Sequence, residues 1–447
     1  MSSTPEPHPQ RVVRALQALV RIPTVSYVDR SRIDGAAFDA MVAELARQFP
    51  LLHANLDLTR IGEHGLLFHW RGASDDKPVV LMAHTDVVPV DPDSPWQHDA
   101  FSGDIADGFL WGRGTLDDKG CVVGICEAVE RLLEADLMPA QDVWLSFGAD
   151  EEVMGSNAET AVEVLRGRGV RPWLVVDEGG AVAAGAFPGV AAPLGVVGVT
   201  EKGTTAIELV AEGRGGHASM PTPNGPTYRL ARAITRLEKA PFAASAPAPT
   251  LEMLRRIAPH LPAPLRPVVR GVSLNAAAVG RLLTLAGAEA GAMARTTVAT
   301  TTLSGSPANN VIASTAKAGL NVRIMVGDTV AGVVDHIRRA IDDDTIAINV
   351  VDAGEPSPIS PMGDAFALVE SSIQAVFPDA VPTPYVLMGA TDSRHFTRIS
   401  DNVYRFAPFR MSKAQREAIH SFDERIGVDD LVDGAAWYQH LIERLPL

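Results

Sequence analysis

Cysteine is nearly absent: 447 residues hold only Cys121 and Cys126. Two cysteines cannot build a disulfide framework. Spaced five apart on a helix they sit roughly 140° apart around the axis, so they cannot pair either. Buried, reduced thiols are the expectation. Positive charge is also short. Lys and Arg number 39 against 54 Asp and Glu, a net charge of −15, which argues against nucleic acid or an anionic membrane as partner. Part of that acidity is open to neutralisation by divalent cations. Long apolar runs are missing. The most suspicious stretch, Gly271 to Ala294, carries Arg281 and Glu289 and is Ala-rich, so it reads as one or two buried helices rather than a membrane span. Met1 to Gln10 is polar and Pro-rich, without the apolar core of a secretion signal. These ten residues are expected to be disordered, and the cytoplasm is the expected compartment.

What remains is an ordinary globular composition, 46% hydrophobic and 21% charged. The chain is too long for one core, so two or three domains are expected. Its organising stretch is Val79-Val80-Leu81-Met82-Ala83, five apolar residues that end in His84-Thr85-Asp86. Such a run fits a strand covered on both faces, as in a parallel sheet. Val143 to Ala149 repeats the grammar and ends in Asp150-Glu151-Glu152, and Trp173 to Val176 ends in Asp177-Glu178. In open α/β sheets, ligands gather beyond the carboxyl ends of the strands.

Helices are expected at Arg11 to Arg21 and Ile33 to Phe49, and a strand near Leu66 to Trp70. Asp117 and Asp118 precede an amphipathic helix marked by Cys121, Ile125, Ala128 and Leu132. This alternation predicts a doubly wound, mostly parallel sheet. From about Thr200 the pattern changes. Strands at Thr205–Glu212, Thr296–Leu303, Gly319–Val326 and Ile346–Val351 alternate with helices at Tyr228–Lys239 and Thr329–Ile341. That β-α-β-β-α-β order predicts an inserted ferredoxin-like domain. From Pro356 the buried pattern returns, with strands at Val386–Met388 and Val403–Ala407. The expected division is 1–200 and 356–447 for a catalytic domain and 201–355 for the insert, a lid or dimerisation domain. An extra apolar segment, Pro241 to Ala294, borders the lid; it either forms an acyl channel or merely thickens the lid or a dimer contact.

His84, Asp117, Glu152 and Asp177 each offer a hard oxygen or an imidazole at a strand end or helix start. Alone, each has a bland reading: a chance His, a helix cap, a solvated pair, a turn. Together they predict a metal site. Carboxylates converging without a cation would repel and raise their pKa values. Mixed His and carboxylate ligands suit zinc, and two ions about 3.5–4 Å apart share a bridging carboxylate. Asp86 has the spacing of a residue that orients His84. Glu151, beside a ligand and not needed as one, is free to take a proton from an attacking water.

Three motifs resemble the co-catalytic zinc aminoacylase/carboxypeptidase family. They are Ala83-His84-Thr85-Asp86-Val87-Val88-Pro89, Gly112 to Gly120 with Asp117-Asp118, and Asp150-Glu151-Glu152. Asp177-Glu178-Gly179-Gly180, Glu201-Lys202-Gly203, Thr391-Asp392-Ser393-Arg394 and Tyr404-Arg405-Phe406 resemble its branch of carboxypeptidase S and the secreted N-acyl-amino-acid hydrolases. The resemblance implies two divalent ions per chain, zinc first, with cobalt or manganese as alternatives. His84 and Asp177 would hold one ion and Glu152 and His420 the other, with Asp117 between them. Glu151 would be the base. His217, in Gly216-His217-Ala218-Ser219, matches the family's lid histidine, which stabilises the oxyanion in the partner subunit of dimeric members. A homodimer is therefore expected. Asn310 and Arg323 match residues that hold a substrate carboxylate, and Arg394 is placed with them. The last motif departs from the family's His-Gly-x-Asn-Glu: here it is His420-Ser421-Phe422-Asp423-Glu424. The His and Glu are kept, while Ser421 and Asp423 bear on the tightness of the turn. His395 is read as lining or support, and the other histidines lack strand-end context. The expected activity is hydrolysis of an amide beside a free α-carboxylate, of carboxypeptidase or dipeptidase type. The alternative is an N-acyl-amino-acid amidohydrolase. A non-catalytic binding protein would have lost Glu151 or a ligand, and none is missing.

Overall fold

The computed structural model describes residues 8–272 and 275–447. A mixed sheet of ten strands forms its main layer. Near its centre, Ser74–His84 lies parallel to Gln141–Gly148 on one side and to Leu174–Asp177 on the other. Val79, Leu81 and Ala83 enter one apolar core, whereas Val80 and Met82 enter the core on the opposite face. Successive strand side chains point to opposite faces, so a strand covered twice has no polar position. On one face lie the helices His8–Val20, Lys119–Glu134, Asp364–Val376 and Val428–Glu443. Asn157–Gly167 and Ser393–Phe396 cover the other. The doubly wound expectation is met, with antiparallel strands Asp57–Ile61 and Gly65–Trp70 completing one edge.

Several local readings change. The first helix begins at His8, and the rest of the segment expected to be disordered lies outside the described residues. The helix expected over Ile33–Phe49 is present, and a second, short helix follows it directly. Gly35–Gln48, capped by Asp34, stops before Pro50, and Pro50–Asn55 follows. A residue preceding proline is disfavoured in α conformation, and Phe49 sits at φ −125° and ψ 67°. Lys119–Glu134 is not amphipathic in place: it is buried on nearly every side through Glu130, because helices as well as the sheet enclose it. Its two cysteines are buried and free. The strand expected at Val386–Met388 runs over Val381–Leu387, prolines included, and pairs only with Leu194–Glu201. Proline is tolerated where one strand edge is unpaired.

The second sheet has four antiparallel strands, Gly203–Glu212, Thr297–Ser304, Thr315–Ile324 and Ile346–Ala353. The first and third lie at the centre, flanked by the fourth and second respectively, the ferredoxin-like arrangement. Pro226–Glu238 and Val330–Ile341 cover one face. The chain crosses between the sheets twice, side by side. Thr200 Oγ1 donates to Ser357 O at 2.6 Å, and Ser357 N to Glu201 O at 3.2 Å. The Glu201 carboxylate accepts from Ser357 Oγ and Thr391 N, each at 3.0 Å, and lies 3.5 Å from the buried Arg405 guanidinium.

Pro241 to Ala294 touches the second sheet's core through Phe242 but packs mainly on the first layer. Its helix Ala248–Ile257 packs on the strand Val381–Leu387. Leu254, Ile257, Leu261 and Val279 form one apolar cluster with Val190 and Leu194 of the first layer. Arg256 of the same helix pairs with Glu370. Periodicity shows that such a helix needs an apolar neighbour but not which sheet supplies it. Among the described residues no helix is long and apolar enough to cross a membrane.

Glu201→Ala would strand the buried Arg405 charge and remove the acceptor of Thr391 N and Ser357 Oγ. The expected cost is about 3–5 kcal/mol, read as a fall in thermal midpoint. A loss below about 1 kcal/mol would mean that Arg405 finds water or another partner.

Candidate metal centre and active site

The parallel strands set the site because their ends align. His84 pairs in register with Gly148, after which Glu151 and Glu152 occupy a single turn. Leu174–Asp177 ends at the same edge and leads directly into Glu178. The loop before Lys119–Glu134 supplies Asp117, and the turn before Arg425–Gly427 supplies His420. Both Asp117 oxygens face a histidine: Oδ1 lies 3.0 Å from His84 Nε2, and Oδ2 lies 2.9 Å from His420 Nε2. His420 Nε2 is also 3.1 Å from Glu152 Oε2. One ligand atom from each of His84, Asp117 and Glu152 lies within 4.8 Å of the others.

Asp177 differs from its expected place. Its Oδ2 accepts from Ser393 N at 2.9 Å, and it belongs to neither group of possible ligands within 4.8 Å. Glu178 instead brings Oε1 within 3.6 Å of His84 Nε2. His84, Asp118 and Glu178 form a second group of possible ligands within 4.8 Å. Within that group Asp118 has a rival occupation, since its Oδ2 accepts from His84 N at 3.3 Å. The alternation of a strand explains the exchange: neighbouring residues at its end face opposite ways, and Glu178 is the one that faces the histidine. The glycines that follow are required. Gly179 has φ +107°, and a Cβ at Gly180 would lie 2.1 Å from Val196 O.

Asp86 organises the centre from behind. Fully buried, it lies 3.3 Å from His84 Nδ1 and accepts from Ser26 Oγ at 2.7 Å. Its two oxygens also accept from Glu151 N and Glu152 N, each at 3.2 Å. One carboxylate therefore positions a histidine and both glutamates. Glu424 does the same for the opposite wall. It pairs with Arg113 at 2.6 Å and accepts from Leu116 N at 2.9 Å and Asp117 N at 3.3 Å. The departures in the last motif cost little. Left-handed backbone falls on His420 (φ 60°) and Asp423 (φ 61°), so Ser421 needs no glycine there. Asp423 accepts from Gln97 N and Nε2, both at 2.8 Å. Asp86 was legible from spacing, whereas Ser26, Gln97 and Arg113 lie too far off in sequence to be paired by eye.

The electrostatics fit divalent cations. Burial pushes Glu151 well above the usual carboxylate range, and Asp392, Asp117 and Glu152 add to it while His84 opposes. Burial and the Asp117 charge do the same to Glu178. Hydrogen bonds to Asp117 and Glu152 raise His420 to about 10. Glu152 Oε1 and Asp118 Oδ1 are buried without a hydrogen-bond partner among the described residues. Crowded, buried carboxylates beside two imidazoles need positive charge to stay ionised, and hard oxygens with nitrogen donors are what zinc accepts.

The remaining predicted residues are placed by other elements. His217 is exposed on a short pairing of Gly216–His217 with Val311–Ile312. Its Nδ1 accepts from Ser219 N at 3.1 Å, so in the neutral ring the proton sits on Nε2, ready to donate. Asn310, also exposed, lies beside it: Asn310 O accepts from Ala218 N at 3.0 Å. Arg323 is part-buried and paired in register with Thr204, to whose Oγ1 it donates at 2.7 Å. Val322 and Ile324 enter the helix-covered core, which leaves Arg323 on the open face of the second sheet. Arg394 folds onto its own turn and donates to Thr391 O at 3.0 Å. Burial, with Arg394 and Arg398 nearby, lowers His395 to about 4, so it stays neutral. It belongs to neither ligand group.

A cavity of about 400 Å³ opens at Asp117 and Glu178. Beyond that polar end its wall is mostly apolar, with Leu194, Val196 and Leu387 from the first layer and Met253 and Met293 from the segment after Pro241; Tyr385 and Arg416 are its other polar side chains.

The model of the family Peptidase family M20/M25/M40 matches residues 80–444. The chain is 33% identical over 441 residues to the N-fatty-acyl-amino acid synthase/hydrolase PM20D1 of Xenopus tropicalis, covering 97% of this chain and 86% of that protein. It is 34% identical over 405 residues to the probable carboxypeptidase S-like 2 of Dictyostelium discoideum, covering 88% and 77% respectively. Among solved structures, human carnosine dipeptidase 1 shares the fold with a TM-score of 0.68 at 16% identity, covering 98% of this chain and 96% of that one. Given a histidine and acidic edge of the kind described and a match along nearly the whole chain, this protein is a member of peptidase family M20/M25/M40, a hydrolase of amide bonds.

Proposed function

We propose that the protein is a two-metal hydrolase that cleaves the amide of an N-acyl amino acid with an apolar acyl group. The observation that carries this reading is the Asp117 carboxylate held between His84 and His420, at the mouth of an apolar cavity. His84 and Glu178 would hold one ion, Glu152 and His420 the other, and Asp117 both; Glu178 takes the role first expected of Asp177. Zinc is the ion the donor set suits best, with cobalt and manganese as alternatives. When bound, the ions supply Lewis acidity that polarises the scissile carbonyl and acidifies water.

The chain's own residues do the rest. Glu151, positioned through its backbone by Asp86, takes a proton from the attacking water and passes it to the leaving nitrogen as the C–N bond breaks. His217 Nε2–H donates to the oxygen on which negative charge develops. Arg323, with Arg394 of the same chain in support, grips the α-carboxylate; Asn310, which lies beside His217, would reach that group together with His217. Residues 1–200 and 356–447 form the catalytic domain and 201–355 the insert. From Thr204, beside Arg323, the strand runs roughly 27 Å to Glu212 at about 3.4 Å per residue, and His217 lies beyond that end, which supports His217 acting in the partner of a homodimer. Two buried free thiols suit the cytoplasm. A second reading, cleavage of dipeptides, is favoured by the shared carboxylate grip and by the carboxypeptidase S-like relative.

Glu151→Gln should lower kcat by about 10²–10⁴-fold while elemental analysis still finds two ions per chain. Glu178→Gln should lose metal, and Asp177→Asn should keep it. Loss of metal from Asp177→Asn with retention in Glu178→Gln would reverse that assignment, and a Glu151→Gln enzyme keeping more than about 10% of kcat would remove Glu151 as base.

The shared site has its own test. His217→Ala and Glu151→Ala should each be nearly inactive alone. After verified subunit exchange, activity should return to about one quarter of wild type, because half of randomly formed dimers are hybrids with one intact site. No recovery would place His217 within its own chain's site or outside the reaction.

A further inference from the structure

We propose that Met253 and Met293 form an adjustable end wall that sets which acyl-chain lengths the enzyme prefers. This rests on the N-acyl-amino-acid reading and goes beyond it, because it gives the segment from Pro241 to Ala294 a role in specificity. The cavity starts at the polar pair Asp117 and Glu178 and follows the hairpin of Ala181–Ala183 and Leu194–Glu201. In register, Ala181 faces Val196 and Ala183 faces Leu194, so the cavity wall moves away from Glu178 as it passes from Val196 to Leu194. Leu194 belongs to the cluster made with Leu254 and Ile257, residues of the helix that also carries Met253. The wall opposite the ligands is therefore built by the inserted segment.

The side chains suit that task. Met253 is 4% exposed and Met293 partly buried, and both line the cavity with Met388 and Met411. Methionine is unbranched, flexible and polarizable, and it fills irregular apolar gaps. A wall of this kind accommodates chains of different length by changing rotamer, where a branched or aromatic wall would stop them at one length. At about 400 Å³ the space is in the range of small-molecule sites; its polar side chains beyond Asp117 and Glu178 are Tyr385 and Arg416, and Arg416 already donates to Ala184 O and Met411 O.

The test is a profile of kcat/KM over N-acyl derivatives of one amino acid, from acetyl to palmitoyl, with unblocked dipeptides alongside. In wild type each added methylene should raise kcat/KM about fourfold, the equivalent of about 0.8 kcal/mol per buried CH₂, until the cavity is full. Met253→Ala should move the optimum to longer chains, and Met293→Trp to shorter ones. The readout is the ratio of long-chain to short-chain kcat/KM within each variant, so a general loss of activity cancels. If Met253→Ala fails to fold, Met293→Trp and Met293→Ala carry the test in opposite directions. A length-dependent wild type whose profile is the same in the Met293 pair overturns the wall. A wild type that cleaves dipeptides and no acyl amino acid overturns the substrate reading beneath it, and the two failures are told apart by the wild-type profile alone.

Discussion

Negative charge held out of water at one sheet edge is the constraint on which this structure depends. Asp86, Asp117, Asp118 and Asp177 are buried or nearly so beside Glu151, Glu152 and Glu178. Each must be matched by a donor, a histidine or a cation, since a lone buried charge is very costly. The fold answers mostly with backbone. Asp86 accepts two glutamate amides, Glu424 accepts two amides before the helix, and Asp177 accepts Ser393 N. Amide donors are rigid and carry no net charge, so they fix direction without neutralising. Neutralisation is left to Arg113, the histidines and the ions the site is built to receive.

The same logic extends to the boundary between the two sheets. Glu201 closes the strand Leu194–Glu201, and its partner Arg405 closes Val403–Arg405, which pairs with the strand leading to Glu178. Apolar packing would hold the crossing as firmly, but it would not fix the chain's direction as sharply. A buried ion pair whose carboxylate also accepts from Ser357 Oγ and Thr391 N tolerates little rotation.

Much of this was legible before the structure. The alternation of Val79 to Ala83 between two cores, the β-α-β-β-α-β order of the second sheet and the gathering of His84, Asp117, Glu151 and Glu152 are all local patterns read at strand period or strand end. What was not legible shares a cause. Asp177 and Glu178 are adjacent, chemically alike residues, and only the direction of a side chain separates them. The strand expected at Val386–Met388 begins earlier and takes in Pro382 and Pro384, because pairing on one side only is a tertiary fact. The segment after Pro241 showed apolar helices without an address. Composition and periodicity report what an element needs, and the partner that meets the need is set by topology.

The two crossings near Glu201 and Ser357 have a mechanical consequence. A body joined to another by two neighbouring chain segments has a pivot at that junction, and any swing between the sheets would turn about it. Arg323, in register with Thr204, sits almost on the axis, while His217 lies past the far end of the same strand. Residues near a pivot keep their position through the whole arc, and residues at the tip travel most. The guanidinium therefore faces the same point whether the molecule is open or closed, and the imidazole is the part whose position reports the angle.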